Sequence, residues 1–173
     1  MTSPKIIVTL LVSISLNLVG CSGGGNQVAA EKKDLVCLKR SDLRLVVATL
    51  KQDSRAIAAS LQDGADPNSS VEGLGPPIVI AALTDSYDAV KLLLDKGANV
   101  NASDSEGYTP LINACISNNR QIVQLLLARG ADVNAPASLI INGKKAKFTA
   151  LMIAKSKGLD EIAKLLSEAG AKE

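Results

Sequence analysis

Few side chains in this chain have chemical reach. Cys21, Cys37 and Cys115 are the thiols, and there is no histidine. Without an imidazole neither a Ser-His-Asp nor a Cys-His pair can form, and the commonest zinc ligand is missing. Carboxylates stand close together at Asp85 and Asp88 and at Asp160 and Glu161. Both pairs lie at turns or helix starts, where negative charge complements the helix dipole. Gly23–Gly25 sits in a polar tract and Gly73 and Gly75 in a loop, so no glycine-rich phosphate loop follows a strand. The chain therefore reads as a non-enzyme with no catalytic residue, no metal site and no cofactor. Its 19 basic and 17 acidic residues are near balance, and Tyr87, Tyr108 and Phe148 are the only aromatics. Neither an electrostatic footprint nor stacking platforms for nucleic acid are apparent.

Cys21 has the most informative surroundings. Lys5 is the only charge among the first twenty residues, and Ile6–Val19 carries none. That run is short of the roughly 18 apolar residues a spanning helix needs, and it suits the apolar part of a secretory signal. Leu18-Val19-Gly20-Cys21 follows and resembles the bacterial lipobox at all four positions. The resemblance implies that 1–20 is a lipoprotein signal peptide and that Cys21 becomes an acylated N-terminus. Several chains at about 0.8 kcal/mol per buried CH2 hold a protein where one does not. Ser22, rather than Asp, implies the outer membrane of a diderm bacterium, facing the periplasm. The alternative is a plain secretory signal or uncleaved anchor with an incidental cysteine. Residues 21–33, reading CSGGGNQVAAEKK, form a flexible tether of at most about 40 Å.

The remaining residues, 34–173, are periodic. Gly64-Ala65-Asp66-Pro67-Asn68 returns as Gly97-Ala98-Asn99-Val100-Asn101 and as Gly130-Ala131-Asp132-Val133-Asn134, each time after 33 residues. A fixed period of this size predicts stacked helical units. In the clearest unit Thr109 caps a helix, Pro110 fits its first turn, and Leu111, Ala114 and Cys115 share a face. Ser117-Asn118-Asn119 makes a turn. Ile122, Val123, Leu125, Leu126 and Leu127 line a second helix that Gly130 ends. This unit resembles the ankyrin repeat, whose pattern is Thr-Pro-Leu-His-x-Ala, then Val-x-x-Leu-Leu, then Gly-Ala-Asp-Val-Asn. Pro77-Ile78, Ala81-Ala82 and Ala89–Leu94 repeat it. Leu43–Gly64 and Thr149–Gly170 are degenerate versions at the two ends. The implied fold is an all-α ankyrin solenoid of about four repeats, with residues 31–42 available for a capping helix through Leu35, Val36 and Leu38. Two repeats separate Cys37 from Cys115, too far for the roughly 7 Å between bridged Cα atoms, so both thiols are expected free and Cys115 inert.

Two departures from the family stand out. Val46, Val79, Ile112 and Met152 occupy the place of the family histidine, and buried apolar contact is expected to offset its hydrogen bond. Seven extra residues precede the fourth unit. Within Ser138–Phe148, branched residues, Asn142-Gly143 and a lysine-rich strand predict a β-hairpin with a tight turn. Its Leu139, Ile140, Ile141, Lys144 and Lys145 either touch a partner or fold back on the stack.

Function then rests on surface. Leu50, Leu83 and Ile116 each lie two residues after the small core residue of their unit and form a column toward the groove, until Ser156 breaks it. Such a column either marks a partner site or packs between helices. Family contact positions add Asp104, Tyr108 and Asn113, and more weakly Ser70, Val71, Ser105, Ser117 and Lys157. The sequence thus implies a membrane-tethered periplasmic module that binds a protein partner of unknown identity, with no nucleic acid partner. The alternative is an immunity or inhibitor protein that neutralises a periplasmic toxin or enzyme.

Overall fold

The computed structural model describes residues 39–71, 73–141 and 144–172. The signal segment, Cys21, the tether and Cys37 lie outside the described residues. Among those described, eight helices follow in pairs. These are α1 Arg40–Leu50 with α2 Ser54–Gln62, α3 Pro77–Leu83 with α4 Tyr87–Asp95, α5 Pro110–Ile116 with α6 Arg120–Ala128, and α7 Ala150–Ser156 with α8 Asp160–Glu168. One antiparallel hairpin, β1 Ala137–Ile141 with β2 Lys144–Phe148, precedes α7. The expected all-α solenoid of four helix pairs is the observed architecture.

Short polar side chains cap four of the eight helix starts. The Thr109 and Thr149 hydroxyls accept from the N–H groups of Ile112 and Met152. The Asp53 carboxylate accepts from Arg55 and Ala56, and the Asn119 amide oxygen from Ile122. Each bond satisfies a donor that the first helical turn leaves open. Three-residue turns join the helices of a pair, and their middle residues Gln52, Asp85, Asn118 and Gly158 all have positive φ, between 56° and 67°. Asn and Asp tolerate that conformation better than most side chains. Of the stretch 31–42 expected to cap the stack, residues 31–38 lie outside the described residues, and Arg40–Asp42 are the opening turn of α1.

Packing explains why the units stack. First helices touch first helices (α1, α3, α5, α7) and second helices touch second helices (α2, α4, α6, α8). Leu45, Ile78, Leu111 and Leu151 recur at one buried position, and Ala48, Ala81, Ala114 and Ala154 keep the helices close. Leu93, Leu126 and Leu166 are fully buried at a third position, where the first unit has Ser60 instead. The Ser60 hydroxyl donates to its own helix at the Ala56 carbonyl. Each such leucine contributes roughly 1.5–3 kcal/mol by burial, so the first unit gives up about one such share. Three of the four residues at the histidine place, Val46, Val79 and Ile112, are buried as expected. Met152 is not: it is 51% exposed, because no further helix covers α7 on that side among the described residues.

The repeated Gly-Ala-Asx-x-Asn tract ties one unit to the next. Its first Asx accepts within its own loop: Asp66 from Asn68, Asn99 from Asn101, Asp132 from Asn134. Its last Asn reaches forward. The Asn68 oxygen accepts from the Asn99 N–H at 2.7 Å, that of Asn101 from Asp132 at 2.8 Å, and that of Asn134 from Lys172 at 2.8 Å. At the head of the series the buried Asp42 carboxylate, on α1, accepts from the Asp66 N–H at 2.9 Å. Asn101→Ala should therefore lower stability by about 1 kcal/mol, the usual value of one such bond. Asn101→Asp, which keeps the acceptor, should lose less. Urea midpoints of the two variants check this.

Candidate protein-binding surface

The inner-helix column is uneven. Leu83, the last residue of α3, is 55% exposed, whereas Leu50 and Ile116, the last residues of α1 and α5, are half-buried. Polar bonds between turns lie around it. The Gln52 amide donates to the Thr84 carbonyl, and the Lys157 ammonium donates to the Ile116 carbonyl at 2.7 Å. Leu83 is thus the apolar side chain this column offers to solvent most fully.

Asp104 and Tyr108 belong to the loop between α4 and α5. The Asp104 carboxylate accepts from the N–H groups of Glu106 and Tyr108, which closes the turn. Gly75, at φ +74°, faces it so closely that a Cβ would lie 2.8 Å from the Asp104 Cβ. Tyr108 is half-buried, and its ring meets Phe148 edge-on with centroids 5.5 Å apart. Burial, then the charges of Glu106 and Asp104, raise its phenol pKa above the ordinary value. Its chemistry is therefore that of an apolar ring with an un-ionised hydroxyl.

The hairpin is rooted on that same loop. The Ser138 N–H donates to the Glu106 carbonyl at 2.9 Å, and Gly107 packs against Pro136 and Ala137. Ala137 is fully buried. The register pairs Leu139 with Ala146, Ile140 with Lys145 and Ile141 with Lys144. That register leaves Asn142 and Gly143 between the two strands. These two residues, and the side chains of 139–141, 144 and 145, lie outside the described residues.

Asn113 is a correction. It is 3% exposed, and its amide donates to the Val79 carbonyl on α3 at 3.3 Å. A buried amide held by the neighbouring unit joins repeats and does not face a partner. Ser117 behaves similarly, donating to the Ala82 and Asn113 carbonyls. Other links between units were not evident from the sequence: Asn119 to Asp85, Arg129 to Asp95 and Arg120 to Glu161. The 34-residue offset that the first two share, one more than the repeat period, could have signalled them. Charge is also unevenly distributed along the chain. Between Asp132 and Asp160 there are five lysines, at 144, 145, 147, 155 and 157, and no acidic residue. The near-neutral total conceals this run.

Two further features bound the chemistry. An open depression of about 480 Å3 is lined by Tyr87, Gln121, Gln124 and Leu125. No three His, Cys, Asp or Glu side chains among the described residues are grouped to hold a metal, and no helix among them is long and apolar enough to cross a membrane.

A family model described as ankyrin repeats, in three copies, matches residues 45–137, more than half of the chain. This chain belongs to the ankyrin-repeat family. No curated protein matches it. Ankyrin repeats are protein–protein interaction modules and generally serve as non-catalytic scaffolds. The α7–α8 pair completes a fourth ankyrin-like unit beyond the matched span. In this ankyrin stack Cys115 fills a small core position, fully buried. Burial pushes its thiol from an ordinary 9.0 up to about 12.

With Cys21 and Cys37 changed to Ser, the folded protein should not react with Ellman's reagent at pH 8, and should react at once in denaturant. The folded state keeps the Cys115 proton up to about 12, whereas the unfolded chain loses it near 9. This contribution to stability is therefore complete below pH 9 and is lost as pH rises from there toward 12. A urea series across that window checks the sign.

Proposed function

We propose that this ankyrin stack is a non-catalytic binding module, tethered to a bacterial envelope membrane through Cys21 and facing the periplasm. The exposed Leu83, set between half-buried Leu50 and Ile116 at the ends of successive inner helices, carries the binding part of the reading. Apolar side chains held out by a rigid scaffold lose little entropy on association. The tether rests on the agreement of Lys5, the uncharged Ile6–Val19 run and Leu18-Val19-Gly20-Cys21. A short linker from such an anchor would hold the groove near envelope proteins.

Each part has its own test. Cys21→Ser should leave the precursor unlipidated and move it out of the membrane fraction. Unchanged fractionation and unchanged mass would refute the tether. Leu83→Glu should reduce capture of envelope protein by about tenfold, the effect of losing one well-packed apolar contact, with thermal unfolding little changed. Undiminished capture would remove the column from the binding surface.

A further inference from the structure

We propose that the outer edge of β2 is a docking strand for an extended, acidic segment of the protein partner. The inference rests on the binding-module reading above and names the chemistry of the partner.

The backbone provides half of the argument. Ser138 pairs with Lys147, and the Ser138 N–H is turned away from β2 to donate to Glu106. In an antiparallel pair the two opposed residues either both exchange hydrogen bonds or both face outward. Lys147 therefore directs its N–H and C=O away from β1, and by the period of two so does Lys145. Among the described residues no hydrogen bond covers the Lys147 N–H. The loops of the stack explain this open edge. The loop at 104–108 is followed on its far side by β1, through Ser138. β2 is the next strand outward, and among the described residues no further strand pairs with it.

Charge provides the other half. β2 reads Lys144-Lys145-Ala146-Lys147-Phe148, and Lys147 is exposed. The stretch from 133 to 159 holds five lysines and no acid, in a chain whose net charge is only +2. Lysines on an edge strand resist pairing with a like or neutral strand. They favour a strand that brings carboxylates, since opposed charges across strands stabilise and like charges repel. An open ladder of N–H and C=O groups recognises extended backbone, which lipid headgroups lack.

The test uses the full chain and a fluorescein-labelled peptide of alternating glutamate and valine. Its counterpart carries lysine in place of glutamate. The acidic peptide should bind and the basic one should not. Lys147→Pro removes an outward N–H without touching the bonds to β1, and should weaken binding about tenfold. Lys147→Gln keeps the N–H and should weaken it about threefold. Should Lys147→Pro disturb the hairpin, amide exchange of the unaltered chain decides: the Lys145 and Lys147 amides should slow when the acidic peptide is added. Unchanged exchange, equal binding of both peptides, or full binding by Lys147→Pro overturns the inference. So does absent peptide binding with flotation on phosphatidylglycerol vesicles that Lys144, Lys145 and Lys147→Gln together abolish, which assigns the lysines to a membrane. Envelope-protein capture that persists when the acidic peptide fails to bind sinks this inference alone and leaves the proposed function standing. Loss of capture by Leu83→Glu, with peptide binding intact, supports both.

Discussion

A pair of helices seven to eleven residues long cannot bury its apolar face within itself, and that shortfall organises the molecule. Each pair buries a leucine or isoleucine and a small alanine against its neighbours, and the last three pairs add a second-helix leucine where the first has Ser60. Stability is then shared between neighbours and not gathered in one central core. The forward-reaching Asn of each loop adds direction. By accepting the N–H of the third residue in the following unit's loop tract it fixes how far one repeat is set from the next, which apolar contact alone leaves loose. Asp42 supplies the same acceptor at the head of the series, from a helix instead of a loop.

A scaffold ordered in this way tolerates change where units meet solvent. Seven added residues between the third and fourth pairs form a hairpin without altering the spacing of buried positions in the helices that follow. The addition succeeds because its base is held: by the Ser138–Glu106 bond, by the close fit at Gly107 and by the Tyr108–Phe148 contact. Binding specificity can then reside in a local strand, while the stack behind it remains a support.

Much of this architecture was legible in the sequence, because a repeated unit states its rule several times. The Thr109 cap, the pairing of β1 with β2 and the buried alanines follow from local chemistry and spacing. What escaped was the part that depends on neighbours. Asn113 looks like a groove residue when one repeat is read alone, yet it points to Val79 in the preceding repeat. Met152 stands where its three counterparts are buried and is exposed because nothing described packs outside it. The column of Leu50, Leu83 and Ile116 looks uniform in sequence, while the structure leaves Leu83 far more open than the other two. The lysine run was visible residue by residue but was averaged away in the net charge.

Removal of one whole period tests the central claim most directly. Deleting residues 76–108 joins Gly75 to Thr109, so that Asn68 meets Asp132 in the register it now keeps with Asn99. Far-UV circular dichroism and urea unfolding of that shortened chain are the measurement. The account predicts a helical protein that still unfolds cooperatively, with a lower midpoint and an m-value reduced by about a quarter, in step with the surface lost. A chain that is unfolded in buffer would contradict it, since that is the behaviour of a single core cut through its middle.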